Sequence, residues 1–322
     1  MIVWLSDVGT ATRAVQTEAL LGARRPRRRH LNREALLGYG LVTPVVVYLL
    51  VLIAYPFFLS IYFSLSNVTV AGGDSGFAGF RHYQDLLGDE VFQKAVFNSL
   101  SFTFLAELGK AVLGIGLAFL LLRNMRGKKI LRGFLMLPWT LPISLSLLSW
   151  RWMFDPQFST INWAIGQLHL MAPPYPDWRG DAVWGYVGIL IVNIWRGFPF
   201  SAVIVLAGLT SIPSDIYDAA KVDGAGFFRT WHYVITPMIA PIIFIGLIFD
   251  VTFTLGDLTI VYILTNGGPG YQTQIVPLLA WETGIQGGNL SSGAAMALIF
   301  FPFLFVAVVL ALRLLYRRQA VT

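Results

Sequence analysis

The chain has 322 residues, of which 56% are hydrophobic and only 12% are charged. Soluble domains carry roughly 25% charged residues, so the composition excludes an ordinary soluble protein and indicates that lipid is the solvent for much of the surface. The chain has no cysteine, which excludes disulfides and thiolate metal sites. Its net charge of +6 does not indicate a nucleic-acid partner, because the basic residues lie where a membrane topology would place them.

Residues 1–37 form a basic tail that contains the arginine cluster Arg24–Arg29. A twin-arginine or nuclear targeting signal is disfavoured, because no cleavage site follows and the next apolar run is of spanning length. We therefore predict a cytoplasmic tail that fixes the membrane topology near anionic lipid.

Six apolar stretches follow, each long enough to cross a bilayer at roughly 20 residues per span. We predict an all-α integral membrane protein with a six-transmembrane-helix domain over residues 38–318 and a short cytoplasmic end at 319–322. Pro138 and Pro142 are expected to kink or break the third span. The predicted spans are 39–65, 97–122, 131–153, 184–209, 239–264 and 293–316.

Positive charges outside the spans predict the orientation, because they accumulate on the cytoplasmic side. The predicted outer side holds only Arg81, Lys94, Arg151 and Arg179. Both termini and the loop between spans four and five are therefore expected in the cytoplasm. The cytoplasmic set is Arg13, Arg24, Arg25, Arg27, Arg28, Arg29, Arg33, Arg123, Arg126, Lys128, Lys129, Arg132, Lys221, Arg229, Arg313, Arg317 and Arg318.

Two ionisable residues lie within the second span, where charge is costly and usually faces the bundle interior or a watery cavity. Glu107 and Lys110 are three residues apart, so they share a helix face and can neutralise each other. A structural pair is the favoured interpretation.

Spans four and five carry a second polar set. Asn193 and Arg196 share one face of span four, and Asp250, Thr254 and Asp257 form a stripe along span five. One interpretation is that these residues line a translocation pathway for a hydroxyl-rich solute. The other is that Arg196 pairs with Asp250 or Asp257 as a strut and contacts no substrate.

Trp150 lies towards the end of the third predicted span. Its indole ring could stack on the face of a sugar, which makes it a further candidate for the pathway. Tryptophans near span ends also serve as anchors at the membrane interface, and this alternative stays open.

The segment 212–237, IPSDIYDAAKVDGAGFFRTWHYVITP, is a polar loop between spans four and five. Its pattern predicts two short helices joined by a bend. Ser211 or Ser214 is expected to cap the first helix, and Gly224 and Gly226 allow the bent backbone that ends it.

Pro237 is expected to close the second of these helices before span five. From spacing alone, the loop is either an amphipathic segment resting on the membrane surface or a short helix that fits the groove of a partner protein.

Several motifs of this chain resemble those of one membrane-protein family. In the 212–237 loop, Asp218-Ala219-Ala220 followed by Gly224 resembles the cytoplasmic EAA loop of ABC importer membrane subunits. The resemblance extends over residues 38–318 and points to carbohydrate-uptake permeases of the maltose and glycerol-phosphate type. The other matching motifs are GFAGFRHYQDLLGDEVFQKAVFNSLSFT (76–103), LPWTLPISLSLLSWRWMFDP (137–156), FPFSAVIVLAGLTSIPSDIYDAA (198–220) and YILTNGGPGYQT (262–273).

The resemblance implies a permease subunit in the bacterial cytoplasmic (inner) membrane that forms half of a pathway for a sugar, polyol or related solute. It also implies three kinds of partner: a second homologous permease subunit, two copies of a cytoplasmic ATPase that bind ATP and Mg, and an extracytoplasmic solute-binding protein. The residues implied in docking to the ATPase are Asp218, Ala219, Ala220, Asp223 and Gly224. Asp218 departs from the usual Glu of the family, which keeps the charge on a shorter arm.

The chain itself lacks the P-loop pattern that would cradle ATP. Its only Gly-Lys pair, Gly127-Lys128, has no upstream glycine at the required spacing. We expect no catalytic, metal or cofactor site in this chain. Two alternatives to an ATP-driven permease are a secondary carrier that uses Asp250 and Asp257 for ion coupling, and a membrane-embedded enzyme. The carrier is disfavoured because no related halves are visible, and the enzyme because no catalytic constellation is.

Overall fold

A computed structural model describes residues 33–123 and 126–319. Most of the predicted basic tail and of the predicted end at 319–322 therefore lies outside the described residues. The helices are α1 Arg33–Leu49, α2 Tyr55–Ser64, α3 Arg81–Gly88, α4 Glu90–Leu122, α5 Lys128–Thr140, α6 Ile143–Met153, α7 Thr160–Gln167, α8 Ala182–Ser211, α9 Ser214–Val222, α10 Phe227–Thr230, α11 Thr236–Gly256, α12 Thr259–Leu264, α13 Val276–Trp281, α14 Leu290–Leu298 and α15 Phe301–Gln319, and the strands are β1 Ser66–Thr69 and β2 Gly73–Phe77.

Within this part of the chain, five helical stretches are long and apolar enough to cross a membrane, and a bent helix pair adds a sixth. The prediction of six spans in an all-α membrane protein agrees with this. The single stretches are Leu37–Ser64, Glu90–Leu122, Ala182–Ser211, Phe227–Gly256 and Leu290–Leu310.

The chain divides into two compact units after Phe58. In the first, α1 passes into α2 through a π-helical segment, Leu50–Ala54. None of the most apolar part of this stretch is buried, so lipid or another protein must solvate it.

In the second unit, α4 and α8 pack closely against each other along their length. A Cβ on Gly109 would lie 2.5 Å from Ile194 Cδ1, and one on Gly114 would lie 2.8 Å from Ser201 Cβ. The glycines therefore allow an approach that larger residues would block. The second span begins earlier than the predicted residue 97, because Asp89 Oδ1 accepts hydrogen bonds from the first-turn amides.

The third predicted span, 131–153, is broken rather than continuous. Helices α5 and α6 are bent by 90° at the two residues between them, Leu141 and Pro142. Proline disfavours a helical conformation for the preceding residue and cannot donate a backbone hydrogen bond. This explains a break at Pro142, whereas Pro138 stays inside α5.

The fifth predicted span, 239–264, was misplaced at both ends. The helix already starts at Phe227 and runs through α10, a π-helical segment at Trp231–Ile235 and α11 to Gly256. Pro237 lies in the first turn of α11 and closes no helix. At the other end, Asp257 Oδ1 accepts the amide of Thr259, a local bond that competes with helix continuation.

The side of the membrane opposite the 212–237 loop is covered by short elements. The antiparallel hairpin β1–β2 pairs Ser66 with Phe77 and Thr69 with Gly73. Ser291, at the start of α14, donates to Ser66 O and accepts from Val68 N. The hairpin is thereby tied to the sixth span.

Asn98 of α4 anchors the loop that follows α12. Its amide nitrogen lies 3.0 Å from Gln272 O and 2.9 Å from Gln274 O. Ser99 next to it accepts the amide of Val276 at 2.9 Å. Because Asn98 is almost fully buried, removing its amide would leave loop carbonyls unsatisfied.

We expect Asn98→Ala to lower the free energy of unfolding by about 1–3 kcal/mol, measured as a lower thermal midpoint of the detergent-solubilised chain. The matched control is Gln93→Ala, which removes an exposed amide bonded to Leu87 O and should shift the midpoint far less. Equal shifts in both variants would contradict the anchoring role of Asn98.

Candidate functional site

A buried ion network joins α4 to α11 in the middle of the helix bundle. The ammonium of Lys110 lies 2.9 Å from Glu107 Oε1 and 3.0 Å from Asp250 Oδ1. It also donates to the hydroxyl of Thr254 at 2.8 Å, and that hydroxyl donates to Glu107. All four side chains are buried. The predicted Glu107–Lys110 pair is therefore present, with Asp250 as a partner that sequence reasoning did not assign.

Lys110 reaches Asp250 by passing Gly197, where α8 has no side chain. A Cβ on Gly197 would lie only 2.5 Å from Lys110 Cε, so the lysine side chain passes where any other residue would intrude. Ser201, one turn further along α8, donates to Asp250 Oδ2 at 3.2 Å. Three helices thus meet at one buried ammonium.

A second ion pair lies nearer to solvent. Arg196 Nη1 is 3.3 Å from Asp257 Oδ2, and the two side chains are 30% and 19% exposed. This geometry selects Asp257, not Asp250, as the partner of Arg196. The Nε of Arg196 and the Oδ1 of Asn193 are buried without a hydrogen-bond partner among the described residues.

The polar residues of α8 and α11 line one cavity of about 650 Å³. Five of the six predicted pathway residues, all except Trp150, lie on its wall, so the structure brings them together. The lining comprises Lys110, Trp139, Ile143, Asn193, Arg196, Gly197, Asp250, Thr252, Phe253, Thr254, Gly256, Asp257 and Thr259.

Trp150 lies outside this lining, contrary to the expectation that it could reach the pathway. Its ring packs against Phe154 and Trp195, with centroid separations of 5.4 Å in both cases. Phe154 is four residues after Trp150 and therefore lies about one helical turn away. Trp195 belongs to α8, which approaches α6 closely at this point. The residue therefore contributes to the core.

Trp139 is one of the cavity residues that sequence reasoning missed. It lies at the end of α5 next to the break, stacks on Phe200 with centroids 4.7 Å apart, and has the guanidinium of Arg196 5.9 Å from its ring. The available signal in the sequence was a tryptophan close to a proline that breaks the span, because non-helical backbone at membrane depth is either buried in protein or lines a cavity.

The 212–237 loop contains the two predicted short helices, α9 and α10, joined by a turn, and α10 continues directly into the fifth span. Pro213 occupies the N-cap position and no side chain caps the helix, so the prediction that Ser211 or Ser214 caps it was wrong. At the other end, the amide of Ala225 bonds to Ala220 O at 2.9 Å and Gly224 has a φ of +70°. This is a Schellman turn, whereas Gly226 has an ordinary negative φ.

The inner face of α9 rests on the ends of the fourth and fifth spans. Tyr217 donates to Leu209 O at 3.1 Å, and partial burial raises the pKa of its hydroxyl. Ala220 is buried against the chain itself. Its side chain is therefore not free to enter the groove of a partner, which corrects the expectation drawn from the motif.

The outer face of α9 is open. Asp218, Ala219 and Asp223 are exposed, and Asp218 forms a surface ion pair with Lys221 at 2.8 Å. Large apolar side chains flank them, with Val222 87% and Phe228 83% exposed. Exposed apolar surface of this kind beside polar residues is typical of a protein contact site.

A comparison with protein-family models matches residues 110–320 to the family described as "Binding-protein-dependent transport system inner membrane component". The trehalose/maltose transport system permease protein MalF of Thermococcus litoralis is 30% identical, over 84% of this chain and 90% of that protein. The sulfoquinovosyl glycerol transport system permease protein SmoG of Agrobacterium fabrum is 29% identical, over 88% and 91%.

Among solved structures, the chain resembles a component of a bacterial alginate ABC transporter in complex with its alginate pentasaccharide-bound periplasmic protein. The TM-score is 0.73, with 20% identity over 89% of this chain and 96% of the other; this similarity concerns the fold alone. The family match and the T. litoralis relative lead to one identification: the chain belongs to the inner-membrane components of binding-protein-dependent transport systems, which are the permease subunits of ABC importers.

Proposed function

We propose that this permease forms half of a translocation pathway for a sugar, polyol or related solute, with the 650 Å³ cavity as its solute-contacting section. The observation that carries the proposal is the polar lining of this cavity in the middle of an apolar bundle. Polar groups at membrane depth are costly and usually serve a pathway or a binding site.

The chemistry of the cavity supports a hydroxyl-rich solute. Arg196 and Asp257 are partly exposed and present charged groups to the cavity, and Asn193 adds an amide to its lining. Trp139 supplies an aromatic wall on which a sugar ring can stack. The T. litoralis relative is named for trehalose and maltose, both rich in hydroxyls.

The energy source is a pair of cytoplasmic ATPase subunits that bind ATP and Mg, since this chain contains no P-loop. The outer face of α9, with Asp218, Ala219, Asp223 and the turn at Gly224, is the docking surface. A second homologous permease subunit completes the pathway, and an extracytoplasmic solute-binding protein delivers the solute. These partners correspond to the parts of the family's transport systems that this chain lacks.

Coupling has a direct mechanical route. The 30-residue helix Phe227–Gly256 starts immediately after the α9 turn and passes Asp250 before it ends at the cavity. At 1.5 Å per residue it is about 45 Å long. A force that moves α9 as the ATPase subunits close therefore displaces the cavity wall, which exposes the cavity alternately to the two sides of the membrane.

The alternative of an ion-driven secondary carrier is less well supported. Both carboxylates proposed for ion coupling have a cation beside them, Lys110 for Asp250 and Arg196 for Asp257. A carboxylate that must bind and release a proton or sodium ion competes with such a fixed partner.

Topology is the first testable consequence. Reporter fusions within the turn at residue 225 should report cytoplasm, and fusions at 75 and 175 should report the outside, because positive charge accumulates on the cytoplasmic side. A fusion at 225 that reports the outside would reverse the assignment of α9 as the ATPase contact.

The two ion clusters should respond differently to mutation. Lys110→Met leaves two buried carboxylates without their cation, which should cost about 3–5 kcal/mol and reduce the yield of folded chain in the membrane. The triple variant Lys110→Met, Glu107→Gln, Asp250→Asn should recover much of that yield, and Lys94→Met, at an exposed position, is the control.

Arg196→Ala should instead leave assembly largely intact and reduce solute uptake, since Arg196 is partly exposed to the cavity. The measurement is uptake per assembled complex in reconstituted vesicles, with Trp150→Phe as a control outside the cavity. Normal uptake by the assembled Arg196→Ala complex would mean that Arg196 is only a strut.

The docking surface can be tested without disturbing the core. Ala219→Trp adds bulk to the exposed face of α9, and Gly224→Leu places a side chain at a φ that costs about 1 kcal/mol or more. Both variants should insert normally but lose co-purification of the ATPase and solute-stimulated ATP hydrolysis. An equally bulky Val70→Trp at an exposed position on the other side of the membrane should retain both. Wild-type retention and hydrolysis in Ala219→Trp would rule out this surface.

A further inference from the structure

A second cavity, of about 490 Å³, lies at the end of the third span that faces away from the 212–237 loop. It is lined by Leu148, Ser149, Arg151, Trp152, Asp155 and Arg179. None of these residues lines the translocation cavity, and the proposed transport cycle assigns none of them a role.

The walls of this cavity are fixed by a buried aromatic pair. Phe154 and Trp178 stack with centroids 5.0 Å apart, and both are buried. Their chain neighbours, Asp155 and Arg179, both line the cavity. Asp177 Oδ1 accepts the backbone amide of Arg179 at 3.1 Å, which further fixes the direction in which that arginine leaves the chain.

The lining of this cavity holds two guanidinium groups and one carboxylate, which form no ion pair with each other. Among the described residues, neither Arg151 nor Arg179 has a carboxylate within 4.0 Å, and the buried Nε of Arg179 has no hydrogen-bond partner. Asp155 Oδ1 accepts the amides of Gln157 and Phe158, so it is held in its own turn. The lining of the cavity is left with a net positive charge.

The position of the cavity points to lipid. Leu148 is 54% exposed and lies about one turn inside the end of the apolar helix α6, while Trp152 is 84% exposed at its last turn. A tryptophan and basic residues above an apolar stretch are typical of the membrane–water interface. A phospholipid whose headgroup lay at this depth would place its acyl chain alongside Leu148.

We propose that this cavity binds the phosphate of an anionic phospholipid, with Arg151 and Arg179 as the two cationic ligands. Arginine suits the role because its planar guanidinium can donate two parallel hydrogen bonds to phosphate oxygens. Arg151 donates one hydrogen bond to Ile263 O at 3.3 Å, and its remaining N–H groups can donate to a ligand. The inference does not depend on the identity of the transported solute.

The test is native mass spectrometry of the full chain, purified in detergent and supplied with equal amounts of phosphatidylglycerol and phosphatidylcholine. The wild-type chain should retain phosphatidylglycerol preferentially. Arg151→Gln/Arg179→Gln should reduce this preference by about fivefold for each arginine, since a partly exposed ion pair contributes up to about 1 kcal/mol. Arg151→Lys/Arg179→Lys keeps the charge and should lose less.

The matched control is Arg81→Gln, which removes an exposed arginine on the same side of the membrane, paired with Asp85 at 3.9 Å. It should keep the wild-type preference. Equal lipid preference in the wild-type chain and the double glutamine variant would overturn the proposal. So would displacement of the lipid by inorganic phosphate, because the cavity would then recognise a free anion. If the double glutamine variant keeps its lipid preference but no longer binds the solute-binding protein, the cavity would instead be assigned to a contact with an acidic protein surface.

Discussion

The arrangement of the bundle depends on one buried ammonium. Lys110 is shared by Glu107 and Asp250 at about the same distance, and it can reach the second carboxylate only because Gly197 leaves space on α8. In the apolar interior of a membrane protein, each of these charges alone would be unfavourable by several kcal/mol. The cost is avoided only when α4, α8 and α11 are in register, so the network selects one packing of the three helices.

This constraint also defines the cavity. Once α8 and α11 are held in register at Lys110, Asn193 and Arg196 lie opposite the end of α11, where Asp257 pairs with Arg196. The ion pair at Lys110 is nearly fully buried, whereas that at Arg196 is open to the cavity. The first suits a permanent support, and the second can separate at lower cost, because partial solvation reduces the penalty for a separated charge.

The sequence was sufficient to predict what depends on composition and spacing. Apolar stretches of about 20 residues predicted the spans, and the three-residue spacing of Glu107 and Lys110 predicted their pair. It was insufficient where the outcome depends on contacts between helices. Nothing local indicated that Lys110 would reach Asp250 or that Arg196 would choose Asp257. The end of the fifth span at Gly256 depends on a turn centred on Asp257, and its apolar continuation through 264 concealed this break. Ala220 carries the family motif, yet its burial follows from how α9 folds back on the spans.

In the proposed transport cycle, the continuity of the fifth span gives these two clusters a common role in coupling. Helix Phe227–Gly256 is held near its far end by Asp250 at the buried ammonium, and it begins at the turn set by Gly224. A rigid rod fixed at one point and displaced at one end pivots about the fixed point. Thr254 belongs to the same buried network as Asp250, so displacement of α9 would then move only the short end of the helix that lies next to Asp257. Since Asp257 lies just past that end, a pivot about Asp250 changes its distance from Arg196 while the buried network stays closed. In the proposed transport cycle, the buried network is therefore the fixed point of the helix, and the ion pair at Arg196 is the contact that changes.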